Sequence, residues 1–304
     1  PPLIIKGPVK PGCTVVTDGR LSQYISGIMM AASRLEGTTR IELTDPKEVP
    51  FLNMTRLWLE SLGVQLEISS DYRHIAVHGP VTSTAFDRFV PSDWEAAAFP
   101  LVAALSTQSE ITVYNIDNSG SQGDSAIVDV LKSLGGDITN DTEKNSLTVR
   151  KSRLSTVHLP GGELHVNLSG YPDAICALAV AGCFTEGTIV MEDIGVCRKK
   201  ETDRIEVMQA ELRRLGAEVE SGGDWISVHG HSPVLEDGSR NPEFVLHGGT
   251  VESYDDHRVA MSLACLGLGL PSGESVTVKN AECCVVSFPD FYAVMNKINA
   301  GFSW

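Results

Sequence analysis

The sequence has no long hydrophobic run and few basic residues, and each absence excludes a class of protein. Its longest nearly apolar stretch, residues 259–270, is well short of the roughly 18 residues that a membrane helix requires. Only 24 lysines and arginines stand against 39 acidic residues, and the net charge of −15 has the wrong sign for holding a nucleic-acid backbone. We therefore expect neither a membrane protein nor a nucleic-acid-binding protein, although a local basic cluster could still hold a small anion.

The sequence also lacks the patterns of disulfide and metal sites. Its seven cysteines are an odd number without a CxxC pair, and no secretory prefix precedes them, which predicts reduced thiols and a cytoplasmic location. The eight histidines show no HExxH or similar spacing, and we interpret His229 and His231 as part of a surface turn rather than as a ligand pair. We predict no metal. Because the chain begins with Pro1 and not with methionine, we expect the natural protein to start upstream.

Internal repetition is the strongest signal in the sequence. Three predicted helices end at Leu-Gly and continue into an alternating strand, and their glycines Gly63, Gly135 and Gly216 lie 72 and 81 residues apart. Each glycine is predicted to take the left-handed conformation that ends a helix. Small-residue helices that run into strands precede these segments at 25–34, 96–106 and 174–184, with a fourth copy at 259–270.

The repeated order of strand, helix, strand, helix and two strands predicts an α/β protein built from units of about 75 residues. The alternative is a chance recurrence of Leu-Gly after helices. A polar stretch that contains proline, residues 82–91, is the predicted change of domain, which gives domains over residues 1–88 and 89–304.

Polar residues begin all four of the small-residue helices, and we predict that they cap them. A helix N-terminus carries unpaired N–H groups and partial positive charge, so several of them in one cleft would bind an anion. Ser92-Asp93 is interpreted as ordinary capping. Arg258 opposes the helix dipole, so it requires a nearby anion. The four starts are Ser22-Gln23, Ser92-Asp93, Pro172-Asp173 and Asp256-His257-Arg258.

A basic segment over residues 198–204, Arg-Lys-Lys-Glu-Thr-Asp-Arg, precedes a predicted amphipathic helix. Lys200 and Arg204 are four residues apart and can grip one anion from the same face. Glu201 is a candidate proton-transfer group whose pKa the neighbouring cations would tune. The alternative is a solvated, charged helix start.

Together with Glu-Leu-Arg-Arg-Leu-Gly-Ala-Glu-Val at 211–219, this segment resembles the R-x-K-E-T-D-R…E-L-x-x-x-G-A signature of the 5-enolpyruvylshikimate-3-phosphate (EPSP) synthases. The resemblance runs essentially end to end. It implies an α/β fold of βαβαββ units in two domains, with about four of the six units present. The amino-terminal third, which carries a Lys motif and an N-A-G-T-x-x-R loop for phosphoenolpyruvate, is expected to be absent or on another chain. Further matching stretches are 18–30, Ser121-Gln-Gly-Asp124, Pro172-Asp-Ala174, Asp256-His-Arg-Val-Ala-Met261 and Phe288-Pro-Asp290.

The resemblance implies a reaction and three catalytic residues. Enolpyruvyl would pass from phosphoenolpyruvate to the 5-hydroxyl of shikimate 3-phosphate, with release of phosphate, in aromatic amino-acid biosynthesis. Asp173 corresponds to the carboxylate that accepts a hydrogen bond from that hydroxyl, and Lys200 to a lysine near the hydroxyl and its phosphate. Glu201 corresponds to a proton-transfer carboxylate. No metal or organic cofactor is implied.

Four other residues correspond to substrate ligands alone. The resemblance implies that Ser22 and Gln23 bind shikimate 3-phosphate, and that Arg204 and Arg258 bind phosphoenolpyruvate. Such a set is chemically coherent, since guanidinium groups match carboxylate and phosphate with two hydrogen bonds each.

The sequence departs from the family pattern at five positions, where Leu21, Glu48, Phe51, Val196 and Val286 stand. Four of these changes remove a donor or a cation from the anion site, and Glu48 adds a negative charge near the expected phosphate. We expect negligible turnover from residues 1–304 by themselves. Two alternatives stay open: a catalytically silent member or fragment that binds an anion or a protein partner, and a transferase with a different acceptor.

Overall fold

The computed structural model describes residues 2–83 and 85–303. The chain divides into two compact units, with the division between Val90 and Pro91. The boundary predicted from the sequence lies two residues earlier. Within the described ranges no helix is long and apolar enough to cross a membrane.

The first unit is one complete repeat, with the order strand, helix, strand, helix, strand, strand. Its four strands form one sheet in the order β1-β2-β4-β3, in which β1 and β2 are parallel and the other pairs antiparallel. The two helices pack on each other, and Ile25, Met29 and Leu52 are fully buried between helices and sheet. The elements are β1 (Thr14–Asp18), α1 (Ser22–Ala32), β2 (Gly37–Thr44), α2 (Val49–Ser61), β3 (Gln65–Ile68) and β4 (His74–Gly79).

The second unit contains the other three copies, of which the second in chain order is complete. Its strands form three sheets, in the orders β5-β7-β6, β11-β12-β10-β8 with β9 also paired to β10, and β13-β14. The first copy contains α3 (Trp94–Ser106), β5 (Ile111–Tyr114), α4 (Ile127–Ser133), β6 (Asp137–Asp141) and β7 (Ser146–Arg150). The second contains β8 (Leu154–Ser155), β9 (Glu163–Asn167), α5 (Ile175–Cys183), β10 (Thr185–Glu192), α6 (Arg204–Arg214), β11 (Glu218–Ser221) and β12 (Trp225–Gly230). The third contains β13 (Gly249–Glu252), α7 (His257–Leu268), β14 (Val276–Lys279) and α8 (Phe291–Lys297).

Helices α3, α5 and α7 pack against one another at the centre of the second unit. They are equivalent in the repeat and rich in small residues, which allows close approach. Every residue of α5 is buried. Residues at the starts of these helices are therefore brought together by the repeat itself.

Three of the seven cysteines lie on the helices of this core. Cys176 and Cys183 lie on α5 and Cys265 on α7, all buried and all free. Burial raises the pKa of Cys183 to about 12 and raises the pKa values of Cys176 and Cys265 as well.

The prediction that three glycines end helices is confirmed. Gly63, Gly135 and Gly216 follow the last turns of α2, α4 and α6 with φ values of +87°, +96° and +91°. Residues with a Cβ atom rarely adopt these angles.

Gly216→Ala is therefore expected to lower the free energy of unfolding by about 1–2 kcal/mol, since a left-handed alanine is strained by that amount. An added Cβ would also lie 3.1 Å from the carbonyl oxygen of Val245. Urea unfolding measures the change. Gly223→Ala is the matched control, because no atom lies within 4 Å of the added Cβ there. Equal effects of the two substitutions would contradict the assignment.

The interpretation of His229 and His231 as a surface turn is wrong for His229. His229 lies in β12 and shares a hydrogen bond with the Thr188 hydroxyl at 2.9 Å. His231 follows the strand, and its Nδ1 lies 3.2 Å from a carboxylate oxygen of Glu186. Arg153 approaches the other oxygen of that carboxylate at 3.4 Å, so Glu186 is already balanced by a cation.

Candidate active site

Asp173 is the centre of a charged cluster in the second unit. It lies in a short turn before α5, and its carboxylate is paired with three cations. Arg204 Nη1 contacts Oδ1, Lys200 Nζ lies 3.6 Å from Oδ2, and Arg258 Nε lies 3.8 Å from Oδ1. The structure thus brings together Asp173, Lys200, Arg204 and Arg258, each near the start of a helix.

Arg204 is the most buried member of this cluster, with a side chain only 1% exposed. Its Nε donates to Oδ2 of Asp256 at 2.7 Å, and Nη2 donates to Oε2 of Glu201 at 2.6 Å. The Asp256 side chain is fully buried, whereas the Glu201 side chain is 48% exposed. Arg204 therefore connects the two proposed catalytic carboxylates, Asp173 and Glu201, with the buried start of α7.

The cations keep both buried carboxylates ionised. Burial acts to raise the pKa of Asp173, but attraction to Arg258, Arg204 and Lys200 outweighs it and lowers that pKa to about 2. Asp256 is similar, since burial raises its pKa and the Arg204 guanidinium lowers it to a net value below the usual range. A carboxylate with such a low pKa accepts hydrogen bonds at neutral pH and is a weak base.

Two further acids, Glu95 and Asp124, complete the cluster. Glu95, in the first turn of α3, is paired through Oε2 with Nη2 of Arg258. Asp124 is 4% exposed and shares a small cavity with Glu95, Asp173 and Arg258. Burial, together with repulsion by Glu95 and Asp173, raises the pKa of Asp124 to about 8.

The anion that Arg258 requires is thus supplied by the protein itself. Sequence analysis missed Glu95 because its partner lies 163 residues away in the chain. One signal was available: Glu95 is the only charged residue in α3. Asp256 was taken as a cap, and it does accept a hydrogen bond from the Arg258 backbone N–H at 2.9 Å, but it also neutralises Arg204.

Ser22 and Gln23 lie in the first compact unit, on the first turn of α1. The predicted capping by Ser22 is wrong, because α1 begins after Leu21 without a side-chain cap. The backbone N–H and the hydroxyl of Ser22 both donate to Oε2 of Glu48 at 2.8 Å. Glu48 is 2% exposed and precedes α2. A carboxylate from the same unit therefore occupies this helix start, while Gln23 is exposed.

Of the other predicted caps, the one on α3 is present and the one on α5 is not. Asp93 caps α3 by accepting from the Glu95 backbone N–H at 2.9 Å, as the sequence predicts. Pro172 and Asp173 instead form a turn before α5, whose first turn has no side-chain cap. The Asp173 carboxylate does not cap α5 and is paired with cations instead.

The residues at the remaining positions of departure are apolar. Leu21 and Phe51 are half-buried at the starts of α1 and α2. Val196 packs against the core of the second unit, and Val286 is 73% exposed. None of these four side chains can bind an anion.

The chain matches one family along nearly its whole length. The profile of EPSP synthase (3-phosphoshikimate 1-carboxyvinyltransferase) matches residues 1–295. The 3-phosphoshikimate 1-carboxyvinyltransferases of Ruminiclostridium cellulolyticum and Acetivibrio thermocellus are 35% and 33% identical over 95% and 99% of the chain. The chain spans 63% and 65% of the lengths of these relatives.

A solved structure agrees with these sequence matches. The EPSP synthase of Acinetobacter baumannii superimposes with a TM-score of 0.72 and 25% identity, and the match covers 93% of this chain and 62% of that protein. The predicted fold class is confirmed. The chain belongs to the EPSP synthase family of transferases.

Proposed function

We propose that the protein transfers the enolpyruvyl group of phosphoenolpyruvate to the 5-hydroxyl of shikimate 3-phosphate and releases inorganic phosphate. The observation that carries the proposal is the convergence of Asp173, Lys200, Glu201, Arg204 and Arg258 in one cluster. These are the residues at which the chain keeps the family's motifs.

The chemistry divides among these side chains. In the addition step the acceptor oxygen bonds to the carbon that carries the phosphate, the hydroxyl gives up its proton, and the methylene carbon gains a proton and becomes a methyl group. In the elimination step the C–O bond to phosphate breaks and the methyl group loses a proton, which restores the double bond and releases inorganic phosphate. Asp173, with its pKa of about 2, would orient the hydroxyl by accepting its hydrogen bond. Glu201 is the half-exposed carboxylate of the cluster, so it is suited to exchange the methylene proton.

The cations provide the electrostatic part of the site. Lys200, whose side chain is 9% exposed, and Arg258, 11% exposed, would face the developing charge on phosphate. Arg204 is completely paired with Asp256, Asp173 and Glu201, so we assign it the additional task of positioning the two catalytic carboxylates.

A second candidate, an enolpyruvyl transferase with a different acceptor, is favoured by one observation. The two donors of Ser22 are already bound to Glu48, at a position that the family resemblance assigns to the acceptor phosphate. An acceptor without a phosphate group would leave this contact intact.

Phosphate release tests both candidates. The assembled cluster favours a low but measurable turnover over the negligible turnover expected from the sequence, and we expect the chain to release phosphate only when phosphoenolpyruvate and shikimate 3-phosphate are both present. The rate should lie at least about 100-fold below that of the Ruminiclostridium cellulolyticum relative, because some charged groups of the family lie outside these four units. Release with phosphoenolpyruvate and unphosphorylated shikimate, but not with phosphoenolpyruvate and shikimate 3-phosphate, would favour the second candidate. No acceptor-dependent release would favour the silent alternative.

A further inference from the structure

Arg258 is held by an internal carboxylate. Its side chain is 11% exposed and Glu95 is 16% exposed, and they form a direct ion pair between the starts of α7 and α3. A guanidinium that binds an external carboxylate or phosphate must offer its N–H groups to that ligand. Glu95 therefore competes with any anion for Arg258.

A buried acid lies in the same place, and one of its two carboxylate oxygens is unpaired within the described part of the chain. Asp124 Oδ1 has no hydrogen-bond partner among the described residues, although Asp124 is only 4% exposed. The cavity that it shares with Glu95, Asp173 and Arg258 is about 10 Å³. Such a volume holds one water molecule at most, so a charge on this oxygen would be poorly solvated.

We propose that Glu95 is a displaceable counter-ion of Arg258, and that an anion binding to Arg258 releases Glu95, which then takes up one proton from solvent beside Asp124. The inference rests on the proposed function only in using Arg258 as an anion-binding residue. It makes Glu95 a residue that sets the affinity and the pH dependence of the site, and not a catalytic residue.

The charges that face Glu95 explain the proton uptake. Burial raises the pKa of Glu95, Arg258 is the largest opposing influence, and Asp173 and Asp93 raise the pKa further. Loss of Arg258 to a ligand removes the main influence that keeps Glu95 ionised. Asp124 offers no positive charge in place of Arg258, because its raised pKa keeps it mostly protonated and neutral at pH 7.

The sign of the pH dependence follows directly. A binding step that takes up one proton becomes about tenfold weaker for each unit of rising pH. In the wild type, anion affinity should therefore fall as the pH rises through the range in which the released Glu95 takes up its proton. Glu95→Gln has no titrating group at this position, so the pH dependence of its affinity should be weaker than that of the wild type, and Asp124 is the acid of the cavity that still titrates near neutral pH.

Calorimetric titration with sulfate, which stays a dianion over this range, tests the proposal on the full chain. We expect Glu95→Gln to bind sulfate about 10- to 100-fold more tightly than the wild type at pH 7.5, the value of one charged hydrogen-bonded pair. Titrations in two buffers of different ionisation enthalpy should show clearly more proton uptake on sulfate binding by the wild type than by the variant.

Three further variants make the test specific. Glu95→Ser provides a second removal of the carboxylate if Glu95→Gln fails to fold, as judged by circular dichroism. Glu110→Gln removes an exposed acid of the same unit and should behave as the wild type. Arg258→Gln in the Glu95→Gln background should abolish the gain, which locates sulfate at Arg258.

A Glu95 variant that binds sulfate no better than the wild type, or that does not bind it at all, would overturn the inference. A gain in sulfate affinity without any acceptor-dependent phosphate release would leave the inference standing and contradict the proposed function. Acceptor-dependent phosphate release without a gain in sulfate affinity would support the proposed function and contradict the inference about Glu95.

Discussion

Lys200→Ala is expected to lower the rate of acceptor-dependent phosphate release at least about 100-fold, the usual cost of removing one preorganised charged group from an active site. Lys200 is 9% exposed and lies 3.6 Å from Asp173, so its ammonium acts where little water screens it. Its loss should reduce both the binding of phosphate and the stabilisation of charge that develops on it. Initial rates of phosphate release measure the effect.

The neighbouring lysine provides the control for this substitution. Lys199→Ala removes an exposed ammonium one residue away, and we expect its rate to stay within about twofold of the wild type. Both variants should fold, because Asp173 keeps Arg204 and Arg258 as partners when Lys200 is lost. Equal rates for the two variants would place the chemistry elsewhere.

Arg204→Met is expected to have the largest effect on stability, a loss of about 3–5 kcal/mol in the free energy of unfolding. Methionine fills much of the space of arginine, but it leaves the fully buried carboxylate of Asp256 without its cation. Asp173 would lose one of its three cations as well. Urea unfolding followed by circular dichroism gives the change directly.

Two variants define the cause of this loss. Arg150→Met, in the same unit, removes an arginine whose two carboxylate partners, Glu110 and Asp137, are both more than half exposed, so it should cost less than about 1 kcal/mol. Arg204→Lys restores the charge without the planar fork, so it should recover only part of the stability. If Arg204→Met were as stable as Arg150→Met, the buried ion pairs of Arg204 would not stabilise this part of the fold.

Sequence reasoning succeeded where the signal was local and repeated. A glycine after a Leu-rich helix end has one common conformation, and Gly63, Gly135 and Gly216 all adopt it. Because equivalent helices pack together, placing Asp173 and Arg258 at equivalent helix starts also predicted that they would meet.

The failures came from partners that are distant in the chain. Ser22 has good capping chemistry, but Glu48 offers its two donors a buried carboxylate instead, 26 residues away. Spacing within one helix cannot reveal such a competitor. Glu95 was missed for the same reason, since its position as the only charged residue of α3 is unusual but does not identify a guanidinium of α7 as its partner. The sequence therefore identified the cations of the charged cluster, but only three-dimensional packing revealed which acids neutralise them.

The rate at which the buried thiols of the second unit are alkylated measures how often its core opens. A thiol with a pKa of about 12, as at Cys183, is ionised to only about one part in 10⁴ at pH 8, and only the thiolate is alkylated. Because Cys176, Cys183 and Cys265 line the packed helices α5 and α7, a reagent reaches them only when these helices separate. The rate at which they become modified therefore reports how often the shared centre of the three repeats opens.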